Sequence, residues 1–394
     1  MSSERGRLLV VDDVEANRDL LARRLRQIGH VVTSVASGRA ALDRIVKQEF
    51  DLVLLDIMMP EMDGYEVLAR LQANPQRKHI PIIMISAIDE IESVVKCVEL
   101  GATDYLPKPF NAVLLKARVN ATLEKKRLRD REQLYARSLE REMEIGRQIQ
   151  ASFLPEKLPT PDGWEIAAFF RPARQVAGDF YDAFALKSGR IGLVIADVCD
   201  KGVGAALFMA LFRTLIRASS ELVEPSLAGM TDPAERAAAR VINAVELTNN
   251  YIARTHGDAN MFATLFFGVL DPMTGLLTYI NGGHEPPVLL TAAGEWTRLL
   301  PSGPALGLFP DQRFEVRRAD MRPGDLFLGF TDGVTESRSP SRDAFGEDRL
   351  LALLTSPGPS AGALLARIAE AVSAHAAGEE SFDDVTMLAV RRGA

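Results

Sequence analysis

Two groups of aspartates stand out by type and spacing. In the first, Asp12 and Asp13 follow the apolar run Leu8-Leu-Val-Val, and Asp56 follows Leu52-Val-Leu-Leu. If those runs are parallel strands, their ends share one sheet edge and three carboxylates converge. Like charges so placed repel, and a hard divalent cation with oxygen ligands relieves them. Ser86 and Lys108 end two further apolar runs, adding a hydroxyl and an ammonium group to the same edge. Such a set can hold Mg²⁺ and a phosphoryl group carried on one carboxylate.

The second group lies in the C-terminal half, in Ala177-Gly-Asp-Phe-Tyr-Asp182, Ala196-Asp-Val-Cys-Asp-Lys-Gly202, Thr331-Asp-Gly333 and Asp383-Asp-Val-Thr386. Dispersed carboxylates, with five His in the chain and no paired Cys, predict Mn²⁺ or Mg²⁺ rather than zinc. Gly178, Gly202 and Gly333 permit tight backbone approach beside those residues. Two such ions roughly 3.5–4 Å apart can set a water in line with phosphorus.

Different elements must position the two groups. Over residues 6–122, strand-like runs (Leu8–Val11, Val31–Val35, Leu52–Leu55, Ile82–Ile85, Asp104–Leu106) alternate with helical patterns at Glu15–Gln27, Gly38–Gln48, Tyr65–Gln72 and Ile91–Leu100. That alternation predicts an α/β doubly wound domain, a five-stranded parallel sheet with its site at the carboxyl ends of the strands. From Leu114 to Phe153 the pattern becomes one long helix, free of Gly and Pro until Gly146. Leu128, Tyr135, Leu139, Ile149 and Phe153 recur at near-heptad spacing, interrupted by Glu132, Glu142 and Gly146, which predicts a coiled-coil linker and a homodimer; a solvated single helix is the plainer alternative. Leu154-Pro-Glu-Lys-Leu-Pro-Thr-Pro161 then ends it. The remainder carries strand-like runs around two Ala/Leu-rich helical blocks near 203–220 and 232–255, with a hairpin turn at Asp271-Pro-Met-Thr-Gly275. An α+β sandwich of two sheets flanked by helices is expected. The domains are therefore placed at 1–122, 123–160 (linker) and 161–394.

Composition narrows the class. The chain of 394 residues is too long for one ordinary core. Its net charge of -7 argues against a nucleic-acid or anionic-membrane partner. No apolar run reaches the roughly 20 residues that span a bilayer, and the polar start, Met1 to Arg7, is unlike a signal peptide. Two distant cysteines, Cys97 and Cys199, fit a reducing compartment. A cytoplasmic protein is expected.

The first group, together with Asp56-Ile-Met-Met-Pro-Glu-Met-Asp-Gly64, Ser86-Ala87 and Lys108-Pro109-Phe110, resembles the receiver domain of bacterial response regulators over about residues 6–122. The resemblance implies that Asp56 takes a phosphoryl group from a histidine kinase or phosphotransfer protein. It implies that Asp12, Asp13 and Asp56, with the Met58 carbonyl, hold Mg²⁺. Ser86 and Lys108 would sense the phosphoryl oxygens, and Tyr105 would swing inward as the switch. Lys108-Pro109 is where the family has a cis peptide. Glu61 and Asp63 are expected to shape the loop after Asp56.

The second group resembles the PPM family of metal-dependent Ser/Thr protein phosphatases in its SpoIIE-like branch, over about residues 150–394. Further matches are Ile149-Gln-Ala-Ser-Phe-Leu-Pro155, Phe262-Ala-Thr264, Asn281-Gly-Gly-His-Glu-Pro-Pro287, Gly303-Pro-Ala-Leu-Gly307 and Phe345-Gly346. The resemblance implies that Asp197 bridges two Mn²⁺ or Mg²⁺ ions, with the Val198 carbonyl completing one of them. Asp179 would serve that second ion, and Asp332 and Asp383 the first, Asp384 being the adjacent alternative. Asp182 would bind through water or cap a turn. The implied reaction is direct attack of metal-activated hydroxide on phosphoserine or phosphothreonine, without a phosphoenzyme.

Two departures stand out. Asp200 occupies a position where the branch often has Gly, either tuning metal affinity or pointing outward. Cys199 stands where better-studied relatives have a His, so leaving-group protonation falls to Lys201 or water. Cys199 is expected to be a small buried residue, not a nucleophile. His284 is expected to have a structural hydrogen-bonding role.

The order switch, helix, hydrolase implies that phosphorylation of Asp56 controls the phosphatase through the helix, with the sign open. The branch implies an anti-sigma-factor antagonist as substrate, within partner switching. The alternatives are a non-catalytic adaptor that binds a sigma or anti-sigma factor, and a DNA-binding regulator, which the acidic balance disfavours.

Overall fold

A computed structural model describes residues 5–86, 91–222, 232–355, 358–379 and 383–393. Ala87, part of the motif beside Ser86, lies outside them. The chain forms two compact units, residues 1–139 and 140–394.

In the first unit a parallel five-stranded sheet runs β2-β1-β3-β4-β5. The strands are β1 (Arg7–Val11), β2 (Val31–Val35), β3 (Leu52–Asp56), β4 (Ile82–Ser86) and β5 (Asp104–Pro107). Continuous apolar runs such as Leu52–Leu55 are what a strand covered on both faces requires. Leu9, Val53 and Met84 enter one core, and Leu8, Leu54 and Ile83 enter the other. Helices α1 (Glu15–Gln27), α2 (Gly38–Lys47), α3 (Gly64–Gln72) and α4 (Ile91–Glu99) make the crossovers. Asp63 caps α3 by accepting the Glu66 N–H at 2.8 Å, and Glu61 has φ 65°, so both shape the loop after Asp56. Lys108–Pro109 is cis.

Helix α5 (Ala112–Phe153) follows. Leu115, Val119 and Leu123 are buried in the first unit. Leu128, Tyr135, Leu139 and Ile149 are exposed, while Phe153, expected on that stripe, packs into the core of the second unit.

The strands of the second unit are β6 (Trp164–Arg171), β7 (Phe180–Ala185), β8 (Ile191–Val198), β9 (Ala263–Leu270), β10 (Leu276–Gly282), β11 (Val288–Leu290), β12 (Trp296–Arg298), β13 (Arg317–Asp320), β14 (Leu326–Phe330) and β15 (Val385–Arg392). They form two antiparallel five-stranded sheets, β13-β10-β9-β8-β7 and β12-β11-β14-β15-β6. Their facing sides form one core, in which Phe266 lies 5.3 Å from Phe327 between ring centroids. Helices α6 (Val203–Glu221) and α7 (Pro233–Thr255) cover the first sheet, and α9 (Glu347–Leu354) and α10 (Ala361–Ala376) cover the second. Helix α6 passes for a membrane span by length and composition, but Arg213 and Arg217 interrupt its apolar run, and Met209, Phe212 and Ile216 bury its inner face in the core. Helix α10, capped by Ser360, and the edge strands β12 (Trp296–Arg298) and β13 (Arg317–Asp320) were absent from the sequence-based expectation. The edge strands are short and largely exposed, so no apolar alternation marks them.

Candidate active site

In the first unit the strand ends meet as the sequence implied. Asp12 and Asp56 are buried, Asp13 is exposed, and one ligand oxygen from each lies within 4.8 Å of the others. The Lys108 ammonium donates to Asp12 Oδ2 at 2.8 Å and to Asp56 Oδ1 at 2.9 Å. Asp12 Oδ1 accepts the Val14 N–H at 2.9 Å, which fixes its direction. Burial raises the Asp56 carboxyl above its usual range, against the lowering effect of Lys108 and with further raising by Asp12 and Asp13. Burial alone would lower Lys108, but its bonds to Asp12 and Asp56 raise it overall. Ser86 is fully buried at the end of β4, and Tyr105 packs half-buried against the core. Met58 follows β3 with its side chain exposed. A Cβ at Gly64 would overlap the Asp56 carbonyl, so the loop closes tightly over this edge only with glycine there. An all-oxygen trio with one partly compensating ammonium fits a single Mg²⁺.

In the second unit the acids come from four segments. Asp179 precedes β7 (Phe180–Ala185), Asp197 is near the end of β8 (Ile191–Val198), Asp332 opens α8 (Asp332–Thr335), and Asp383 and Asp384 precede β15 (Val385–Arg392). Asp179 is buried, and its Oδ2 accepts the hydroxyls of Thr331 and Thr386, each at 2.7 Å. Burial, then Asp197 and Asp384, pushes its carboxyl well above the usual range. Asp197 is pushed up to about 7 by burial and by Asp332, and it hydrogen-bonds Asp179. Asp332 is pushed up to about 6 by burial, then by Asp383, Glu336 and Glu285. Carboxyls that raise one another this way need protons or cations to share a site.

The structure separates the adjacent pair. Asp384 is buried, with Oδ1 accepting the Ala173 N–H at 2.7 Å and Oδ2 the Gly178 N–H at 2.9 Å. Asp383 is half-exposed, and its Oδ2 accepts from Lys201 Nζ at 2.9 Å. Both Asp384 oxygens are thus spent on backbone, whereas Asp383 faces the acidic cluster. The Val198 carbonyl lies 2.7 Å from where a Gly178 Cβ would sit. It therefore adjoins the segment that carries Asp179. The oxygen-only donor set fits hard divalent ions. Among the described residues, only the first trio brings three ligand oxygens within 4.8 Å of one another, so this second set is the more widely spread.

Other expectations are resolved. Asp182 neither caps a turn nor faces the cluster: it is fully buried in β7 and pairs with Arg213 at 2.9 Å and Arg217 at 3.2 Å. Asp200 is exposed with φ 70°, a left-handed backbone that explains why glycine suits the position. Cys199 Sγ accepts the Phe262 N–H at 3.2 Å, and burial raises its thiol. His284 is buried, with its ring Nδ1 hydrogen-bonded to Thr264 Oγ1 at 2.9 Å and its backbone N–H donating to Asn281 Oδ1 at 2.8 Å.

Sequence reasoning missed Gln150. It is buried near the end of α5 and grips Ala177 twice, Nε2 donating to the carbonyl at 2.5 Å and Oε1 accepting the N–H at 2.9 Å. Its place in the Ile149–Pro155 motif was the available signal. The thread is short: Ala177 is two residues before Asp179.

Comparison with known proteins decides the family. The model for stage II sporulation protein E (SpoIIE) matches residues 187–393. The chain belongs to this family. Its C-terminal unit is a SpoIIE-type phosphatase domain of the PPM class, and residues 8–120 match the response regulator receiver domain. Similar proteins include Protein IcfG of Synechocystis sp., 46% identical over 262 residues, which span 64% of this chain and 41% of the relative. Response regulator PleD of Caulobacter vibrioides is 32% identical over 257 residues, 63% of this chain and 55% of the relative. The chain thus spans about half the length of these curated relatives. Among solved structures, the SiaA-PP2C domain of Pseudomonas aeruginosa shares the fold, with TM-score 0.53, 17% identity, and coverage of 65% of this chain and 98% of that one. This SpoIIE-family chain therefore joins a receiver domain to a SpoIIE-type domain.

Proposed function

We propose that this SpoIIE-family chain is a metal-dependent phosphoserine/phosphothreonine protein phosphatase whose activity is set by phosphorylation of Asp56. The observation that carries the catalytic half is the convergence of Asp179, Asp197, Asp332 and Asp383 from four segments into one acidic cluster, in which Asp197 raises Asp179, Asp332 raises Asp197 and Asp383 raises Asp332. Asp197 would be the ligand shared by two Mn²⁺ or Mg²⁺ ions, Asp179 and the Val198 carbonyl would serve one of them, and Asp332 and Asp383 the other. Asp384 acts as a positioning residue. The ions supply Lewis acidity toward the phosphoryl oxygens and the attacking water. Thr331 and Thr386 orient Asp179 by occupying its Oδ2. Lys201, within reach of Asp383, is the candidate to hold the proton delivered to the leaving hydroxyl.

In the receiver, Asp12, Asp13 and Asp56, with the Met58 carbonyl, would hold Mg²⁺. Asp56 takes phosphate from a histidine kinase or phosphotransfer protein, with Ser86, Lys108 and Tyr105 reading the change. The grip of Gln150 on Ala177 supports coupling, because it ties α5 to the segment that ends in Asp179. The exposed residues Leu128, Tyr135 and Leu139 support a homodimer through α5. The substrate proposed is a phosphorylated anti-sigma-factor antagonist.

The test is hydrolysis of p-nitrophenyl phosphate by the full chain with Mn²⁺, comparing wild type with Asp197→Ala, each with and without beryllofluoride. Loss of turnover in the variant and a beryllofluoride-dependent rate in wild type are expected. No metal-dependent difference would instead favour a binding module, and a rate blind to beryllofluoride would remove the control.

A further inference from the structure

A cleft of about 630 Å³ opens on the phosphatase unit, lined by Arg171, Arg338 and Arg342 with Ser337, Ser339 and Ser373. Its walls adjoin two of the acidic segments. Arg171 ends β6 in register with Val385, which follows Asp383 and Asp384 directly. The loop from Ser337 to Ala344 leaves α8, whose first residue is Asp332, and is drawn back to it by the Gly346 N–H bond to the Thr335 carbonyl at 2.8 Å.

This loop is a built structure. Ser339 accepts the Arg342 N–H on its carbonyl at 2.8 Å, and the Ser341 hydroxyl donates to Asp343 Oδ2 at 2.8 Å. His375 Nε2 lies 2.9 Å from the Asp343 carbonyl and ties the loop to α10. Arg342 sits at φ 69°, a left-handed conformation in which a long side chain is uncommon. The turn therefore holds an arginine outward where glycine or asparagine would sit more easily.

The charge balance of the cleft runs against that of the chain, whose net charge is -7. Arg171 donates to a neutral partner, Ser373 Oγ, at 2.6 Å. Among the described residues, neither Arg338 nor Arg342 is held in an ion pair, and both are exposed. The acid within the loop, Asp343, is occupied by Ser341, and Glu379 lines one side. The hydroxyls of Ser339 and Ser373 already donate within the protein, to Ser341 Oγ and the Ala369 carbonyl, so the two exposed guanidinium groups are what can receive carboxylates here. The volume suits a few side chains, not a folded domain.

We propose that this cleft docks acidic side chains flanking the phosphorylated residue of the protein substrate. The proposal rests on the reading that the neighbouring aspartates hydrolyse a phosphoprotein, and it names what selects that substrate. Specificity would then be set beside the metal site by Arg338 and Arg342, leaving the ions to act on any phosphoryl group presented to them.

The experiment uses the full chain and two fluorescein-labelled phosphothreonine peptides, one flanked by Asp and Glu, the other by Asn and Gln. Binding is followed by fluorescence anisotropy in EDTA, so that no turnover is needed. The wild type is expected to bind the acidic peptide roughly tenfold more tightly at low salt, and less so at high salt, since each exposed pair contributes a factor of a few. R338Q/R342Q is expected to reduce that preference to about twofold or less, and R338Q alone to an intermediate value. Equal binding of the two peptides by wild type, or a preference undiminished in the double variant, overturns the proposal. With Mn²⁺ added, the fall in kcat/KM of R338Q/R342Q on the acidic peptide should exceed its fall on p-nitrophenyl phosphate by about fivefold. A wild type that binds selectively yet hydrolyses neither substrate would sink the catalytic reading and keep the docking one.

Discussion

Asp383 and Asp384 are neighbours of the same type, yet substituting each by asparagine should damage different properties. In D384N one carboxylate oxygen becomes an amide NH₂ that must face a backbone N–H, either that of Ala173 or that of Gly178, which now donate at 2.7 and 2.9 Å. A hydrogen bond to a charged group contributes about 1.5–3 kcal/mol, and a buried donor left unpaired costs about 1–3 kcal/mol. The sum is about 2.5–6 kcal/mol, or a fall of roughly 5–24 °C in the melting of a unit of this size. D383N removes a half-exposed pair with Lys201, whose contribution is about 0–1 kcal/mol. Its melting should therefore move by about 4 °C at most. Calorimetry in EDTA isolates these differences from any stabilisation by bound metal. Mn²⁺ titration then gives the complementary result: D383N should lose affinity by about 100-fold or more through loss of a direct ligand. If D384N melts like wild type while D383N is the unstable one, the assignment of ligand and clamp is wrong.

Three further outcomes follow from single contacts. His284 is held neutral, its pKa lowered to about 3 chiefly by burial. Its contribution to stability is therefore complete above the unfolded value of about 6.5 and is lost as pH falls below it, by about 2 kcal/mol at pH 5; urea denaturation at pH 7 and 5 should show a steeper loss in wild type than in His284→Asn. Gly333→Ala places a methyl group on the Asp384 carbonyl, which should cost about 1–3 kcal/mol and lower Mn²⁺ affinity by shifting Asp332; an unchanged melting curve and titration would contradict the close approach. Asp182→Asn leaves Arg213 buried without its counter-charge and should cost about 3–5 kcal/mol in thermal unfolding; a loss of metal affinity without a loss of stability would instead restore Asp182 to the metal site.

The receiver was legible in the sequence nearly residue by residue, because a sheet covered on both faces needs continuous apolar runs and its chemistry falls where those runs stop. Asp12, Asp56 and Lys108 are found together for that reason. The phosphatase site was legible by motif. What each aspartate does was not. Asp383 and Asp384 differ only in which backbone amides fold back onto them, and Asp182 has the same local sequence character as a ligand but points to α6. Those partners lie far away in the chain, so no local spacing reports them. Gln150 was hidden for the same reason: a polar residue on a charged helix reads as solvated until Ala177 is brought beside it. The edge strands β12 and β13 expose most of their residues, so the alternation that marks a strand is missing from them.

The same contacts locate where control can enter. Asp197 sits in a strand paired on both sides, Ala196 with Phe180 and Asp197 with Thr264, and Asp332 opens a helix on the strand β14 (Leu326–Phe330). Asp179, in contrast, ends the irregular segment Pro172–Asp179, whose place is set by side chains: Asp384 on Ala173 and Gly178, Gln150 on Ala177, and two threonines on Asp179 itself. Three of those clamps belong to segments fixed to β14 and β15. Gln150 alone belongs to α5, the helix that begins at Ala112 in the receiver unit. A shift of α5 by a fraction of a hydrogen-bond length would trade the Gln150 contacts for water, and Asp179 would feel it two residues later. On the proposed assignment, the ligand that can be moved is therefore the one held by the fewest backbone bonds, and regulation through α5 should appear as a change in Mn²⁺ affinity at Asp179, with Asp197 and Asp332 left in place.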